Sequence, residues 1–174
     1  MVAATFERNF VWAIWVLWAF LLMGLAHTEL VTCSWFQSFR FWAGQVVPTV
    51  NHPPVREVID PVVASSFLAI LWATSPVLWF GFRNQPAEKF FTRVDWTAPF
   101  SGRILMGVGI MTVCAIVAFG YDFDSRRMTN RLVANPIGFS VVASVFAGFP
   151  WYTLALLKAW RSKINAYIQR QGTS

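Results

Sequence analysis

Four long runs without a formal charge organise this chain, and short polar segments separate them. The first, 9–28, lies between Arg8 and Glu29 and is rich in Trp, Leu and Phe. At about 1.5 Å of rise per residue it spans the roughly 30 Å hydrocarbon core of a bilayer. The second, 61–82, lies between Asp60 and Arg83; Pro61 suits a first helical turn and Pro76 predicts a kink. The third, 104–121, is the shortest, bounded by Arg103 and Asp122 and close to the lower limit for spanning. The fourth, 132–157, is the longest, bounded by Arg131 and Lys158, with Asn135-Pro136 trimming its start and Pro150 bending it.

Between the first two runs, 31–47 is too polar to span. Trp35, Phe39, Trp42 and Val46 nevertheless recur at helical spacing, and Gln37, Arg40 and Gly44 fall on another face. That pattern predicts an interfacial amphipathic helix, its rings turned toward the acyl boundary or toward another subunit. Pro48, Asn51, His52, Pro53 and Pro54 then make a stiff loop. The expected architecture is an all-α integral membrane protein: one membrane domain over 1–174, with four transmembrane helices, the interfacial helix between helices 1 and 2, and a basic tail at 158–174.

Composition strengthens this reading. The 174 residues are 56% hydrophobic and only 13% charged, outside the range of a soluble domain, and 17 Phe and 10 Trp suit the boundary between lipid and water. The first run follows the N-terminus at once, without a small-residue cleavage site; Leu25, Ala26, His27 and Thr28 come nearest to one, so the run reads as a retained helix.

Charge supplies the sidedness. With the N-terminus inside, the inner segments collect nine basic residues and the outer ones five. The positive-inside bias therefore puts both termini in the cytoplasm, although Arg126, Arg127 and Arg131 fall outside. The formal charge of +6 is spread over several segments instead of a stripe with stacking platforms. That excludes a nucleic-acid partner and points to anionic lipid. A bacterial inner membrane is the expected location, and an organellar membrane is the alternative.

Candidate chemistry is sparse. All four runs lack Asp, Glu, Lys and Arg, which argues against a self-sufficient ion-coupled transporter. His27 can ligate a haem or chlorophyll metal, or simply bond to headgroups; no cofactor is otherwise indicated. Glu29, Glu57 and Asp60 lie near the outer boundary, where they can serve acid-base chemistry or, more simply, cap helices. Cys33 and Cys114 have neither metal nor disulfide spacing. The densest polar cluster runs from Asp122 to Arg131, and its paired arginines fit a phosphate or an acidic partner unless Asp122 and Asp124 neutralise them.

Ser140, Ser144 and Gly148, flanked by Ala143 and Ala147, line one face of the fourth run with small side chains. Such a ridge admits a close helix, from the same bundle (Gly107 and Gly109 are candidates) or from another chain. No catalytic grouping and no metal set emerges. The expected function is a non-catalytic subunit that assembles with lipids and other membrane subunits in a respiratory, photosynthetic or secretion complex. The alternatives are a small membrane enzyme or carrier using the outer carboxylates and histidines, and a membrane immunity or exclusion factor.

Overall fold

The computed structural model describes residues 2–53, 59–85, 102–119 and 135–171. These are helical, with no strand among them: α1 (Val2–Ala26), a 3-10 helix (Glu29–Thr32), α2 (Ser34–Val46), a second 3-10 helix (Pro48–Val50), α3 (Pro61–Thr74), α4 (Val77–Phe82), α5 (Gly102–Phe119) and α6 (Pro136–Gln171). Among the described residues three stretches, Asn9–Ala26, Pro61–Phe82 and Pro136–Arg170, are long and apolar enough to cross a membrane. They suggest a membrane-embedded protein.

The surface agrees. Phe10, Ile14, Leu17, Leu21 and Leu25 form an exposed stripe along α1 at helical spacing, while Trp15, Ala19, Leu22, Met23 and Ala26 are buried on the other face. An apolar stripe of that length is a liability in water and ordinary in lipid. The end of α1 is closed locally: Thr28 Oγ1 donates to the Leu25 carbonyl at 2.7 Å, His27 Nδ1 lies 2.8 Å from the Met23 carbonyl, and the His27 and Thr28 amides reach back to Gly24 and Leu25. These bonds satisfy carbonyls that a helix C-terminus leaves without partners.

Helix α3 is the centre. Ala64, Ser65, Ser66, Phe67, Leu68, Ala69 and Leu71 are all buried, the signature of a helix surrounded on every side. Asp60 caps it, accepting a 2.7 Å bond from the Val62 amide ahead of Pro61. The second apolar run is not one helix. Pro76 has no amide hydrogen for the Trp72 carbonyl four residues back. The Ser75 hydroxyl donates to that carbonyl instead, at 2.9 Å, and the chain restarts as α4.

Contacts fix the helix directions. Phe67 meets Phe139 in a tilted ring contact, the Trp151 indole bonds to Ser75, and Lys158 bonds to the Arg83 carbonyl, so α3–α4 and α6 run parallel. Trp12 meets Phe82 and Phe149, Trp15 reaches Ser144, and Trp18 reaches Thr74, so α1 runs antiparallel to both. Helix α5 crosses the lower part of α6, where Thr153 Oγ1 lies 3.3 Å from the Gly107 carbonyl.

Helix α2 leaves most of the aromatic stripe read from its sequence exposed and turns a second face inward. Its seam is Phe36, Ala43 and Gly44, continued by Val47 and with Phe39 half-buried, whereas Trp35, Trp42 and Val46 lie on the exposed flank. Gly44, which falls on another face than that stripe, is buried with Asn51 folded onto it; a Cβ there would overlap the Asn51 amide. Helix α6 starts at Pro136, with the Asn135 side chain accepting from Gly138 at 2.6 Å, and continues through Pro150 into the basic segment as far as Gln171.

Gly148 is the tightest point between α1 and α6, since a Cβ would approach Trp12 ring carbons at 2.7 and 2.9 Å. We expect Gly148→Val to destabilise the fold by about 1–3 kcal/mol, the range for overpacking a close-fitted site. Gly109→Val, at a position with open space, is expected to shift it little. Thermal unfolding in detergent, followed by Trp fluorescence, compares the two; equal effects would refute the role of this contact.

Candidate functional site

The small-residue ridge has its partner within the chain. Ser140 and Ser144 have no exposed surface, Gly148 is buried, and α1 fills the groove they form. Trp12 lies over Gly148, and the Trp15 indole donates 2.8 Å to the Ser144 carbonyl. Of the two occupants the ridge admits, the structure shows one from the same bundle. The groove is occupied, and by Trp12 and Trp15 instead of the glycines of α5. Gly107 packs farther along α6, against Leu156 and Thr153, and Gly109 meets nothing within 4 Å.

Indole nitrogens are the recurring polar fastener. Trp15 bonds to α6, Trp18 reaches the Thr74 hydroxyl at 3.3 Å, and Trp151 donates 2.9 Å to Ser75. Ser75 consequently does two things at once: it donates to the carbonyl that Pro76 strands, and it accepts from the facing helix. The sequence carried the signal for this in a hydroxyl placed directly before a mid-span proline, but its indole partner is 76 residues away and was not visible. Three buried groups contrast with it, for Ser66 Oγ, Gln85 Oε1 and Trp160 Nε1 have no hydrogen-bond partner among the described residues.

His27 sits at the exposed end of α1 with one ring nitrogen engaged by the Met23 carbonyl, Asp60 is spent as a cap, and Glu29 opens the first 3-10 helix. Among the described residues no three His, Cys, Asp or Glu side chains gather as a metal set. Cys33 is an exposed free thiol. Glu57 and the segment with Arg126, Arg127 and Arg131 lie outside the described residues, and so does the side chain of Cys114.

What the described structure does offer is contact surface. Trp35, Phe41 and Trp42 are 62%, 66% and 64% exposed on α2. Beside them an open cleft of about 290 Å³ lies between the end of α1, α2 and α3, lined by Leu25, Val31, Trp35, Phe36, Ile70 and Thr74 among others. Thr74 supplies its hydroxyl, which is already bonded within α3, and no titratable group borders the cleft. Such a space accepts hydrocarbon and offers no acid, base or nucleophile.

No family model matches the chain, and no curated protein or solved structure is similar to it.

Ser75→Ala should lower stability by about 1 kcal/mol, because it strands the Trp72 carbonyl and the Trp151 indole together. Ser66→Ala should leave stability unchanged or raise it, since that hydroxyl is buried without a partner. Denaturation in mixed micelles ranks the variants, and a Ser66→Ala loss matching that of Ser75→Ala would overturn the assignment.

Proposed function

We propose that the chain is a four-span, non-catalytic subunit of a larger membrane assembly of respiratory, photosynthetic or secretion type, with both termini cytoplasmic in a bacterial inner membrane. Topology supports the fourth span. Because α3–α4 and α6 run parallel, the chain leaves α4 at one end of the bundle and re-enters α6 at the other. It must cross an odd number of times in between. Helix α5, 18 residues and about 27 Å long with Arg103 near its start as its one charged residue, makes that crossing. Matching lengths support it further: Asp60 and Arg83 are 23 positions apart, as are Asn135 and Lys158, and each pair brackets about 35 Å of helix. The antiparallel α1 places the N-terminus at the same end as the basic end of α6, where the positive-inside bias favours the cytoplasm.

The observation that carries the subunit role is the aromatic row on α2. Trp35, Phe41 and Trp42 project from a helix held down by Phe36, Ala43 and the Gly44–Asn51 contact, so large rings are presented on a fixed platform. Rigid, exposed aromatics are the residue type that dominates protein interfaces.

Two experiments follow. With the native cysteines replaced by Ser, Asn165→Cys should react with an impermeant maleimide from the cytoplasmic side and Thr28→Cys from the opposite side; labelling of both from one side would refute the span count. In native mass spectra of detergent extracts, wild type should appear with a second protein that Trp35→Ala/Trp42→Ala loses while its own unfolding is unchanged. A monodisperse monomer without a partner would overturn the subunit reading. Function of the isolated chain alone would favour an immunity factor.

A further inference from the structure

The inner ends of α4 and α6 carry a cluster of cations that the subunit role does not use. Lys158 Nζ donates 3.1 Å to the Arg83 carbonyl and lies 5.7 Å from the centre of the Trp79 ring. Arg83 turns its guanidinium over Phe80 at 4.4 Å. Arg161 is exposed and one turn beyond Lys158, and residues three apart share a helix face. Among the described residues no carboxylate pairs with Arg83, Lys158 or Arg161, and the sequence 158–171 contains no acidic residue.

Directly below this cluster, on the membrane side, α4 exposes Val77 and Phe80, 67% and 58% accessible. Arg161 lies three residues, about 4.5 Å, beyond Lys158 along α6. A headgroup layer is about 5–8 Å deep, so both cations fall within it when Lys158 marks the hydrocarbon boundary.

We propose that Arg83, Lys158 and Arg161 form a site for the phosphodiester headgroup of an anionic glycerophospholipid, whose acyl chains lie along Val77 and Phe80. The inference rests on the membrane-spanning reading above. Guanidinium forks and an ammonium satisfy phosphate oxygens, and the apolar strip beneath distinguishes a lipid from a free anion. A cation close to an anionic membrane surface contributes about 1 kcal/mol, so each substitution should weaken retention about fivefold.

The test uses the full chain in non-ionic detergent, with phosphatidylglycerol or phosphatidylcholine added to the micelles and bound lipid counted by native mass spectrometry. The expected result is preferential retention of phosphatidylglycerol, lowered about fivefold by Arg161→Gln and by Lys158→Gln, lowered by Phe80→Ala, and unchanged by Arg40→Gln on α2. Arg161→Gln removes no hydrogen bond seen in the structure, so it stays informative if Lys158→Gln fails to fold. Equal retention of both lipids, an equal loss with Arg40→Gln, or displacement by inorganic phosphate at matching concentration would overturn the proposal, as would an acidic protein bound in place of the lipid. Failure of the membrane reading registers separately, as a chain released from membranes by alkaline carbonate.

Discussion

The fit of two tryptophans into a strip of small residues sets the position of everything else. Trp12 and Trp15 reach into the face of α6 made by Ser140, Ser144, Ala147 and Gly148, and no bulkier side chain at Gly148 would leave room. In lipid, burying apolar surface between helices gains little, because acyl chains solvate that surface as well as a neighbouring helix does. Discrimination comes from close van der Waals fit and from polar atoms that must find partners. Here both act at one place: the rings fill the groove, and the Trp15 indole finds a backbone carbonyl at its floor. With α1 seated on α6, Trp12 is within ring contact of Phe82 and Tyr152, and Trp18 is within reach of Thr74. The helix that enters the groove thereby also positions α3 and α4.

The proline break in the second run is part of the same arrangement. An uninterrupted helix would leave Ser75 one hydroxyl among many, free to bond back to its own chain. Pro76 instead strands a carbonyl, Ser75 repairs it, and the oxygen of that hydroxyl remains available to accept from Trp151. A local backbone defect thus becomes a link between α3 and α6, and it lies near the middle of the bundle where water is unavailable to repair it. Pro150 sits one residue from Trp151, so the two prolines flank the same bond from opposite helices.

How much of this was legible from sequence follows from the range of each interaction. Caps and chain breaks are local: Asp60 before Pro61, Asn135 before Pro136 and the Ser75-Pro76 interruption can all be read within four residues. The ridge on α6 was equally visible as spacing, but a ridge does not name its occupant. Glycines on α5 and tryptophans on α1 were both compatible with it, and tryptophan looks too large until the depth of the groove is known. The inward face of α2 escapes the sequence for a related reason. Trp35, Phe36, Phe39, Phe41 and Trp42 crowd the helix with rings on several sides, so periodicity alone does not choose the seam. The choice is made by Asn51, which requires a residue without a side chain beneath it and so turns Gly44 inward.

Ser75, Thr74, Thr153 and three indoles among the described residues are committed to bonds within or between helices, and Asp60 and Asn135 to helix starts. The groups left facing outward on α1, α2 and α4 are chiefly hydrocarbon and aromatic, with cations gathered where α4 and α6 end. Many of the described polar side chains help to hold the bundle together, although Ser66 Oγ and Trp160 Nε1 do not, and α2 carries its exposed aromatic row against that bundle. For the interface proposed above, each ring immobilised before binding is conformational entropy that association does not have to remove.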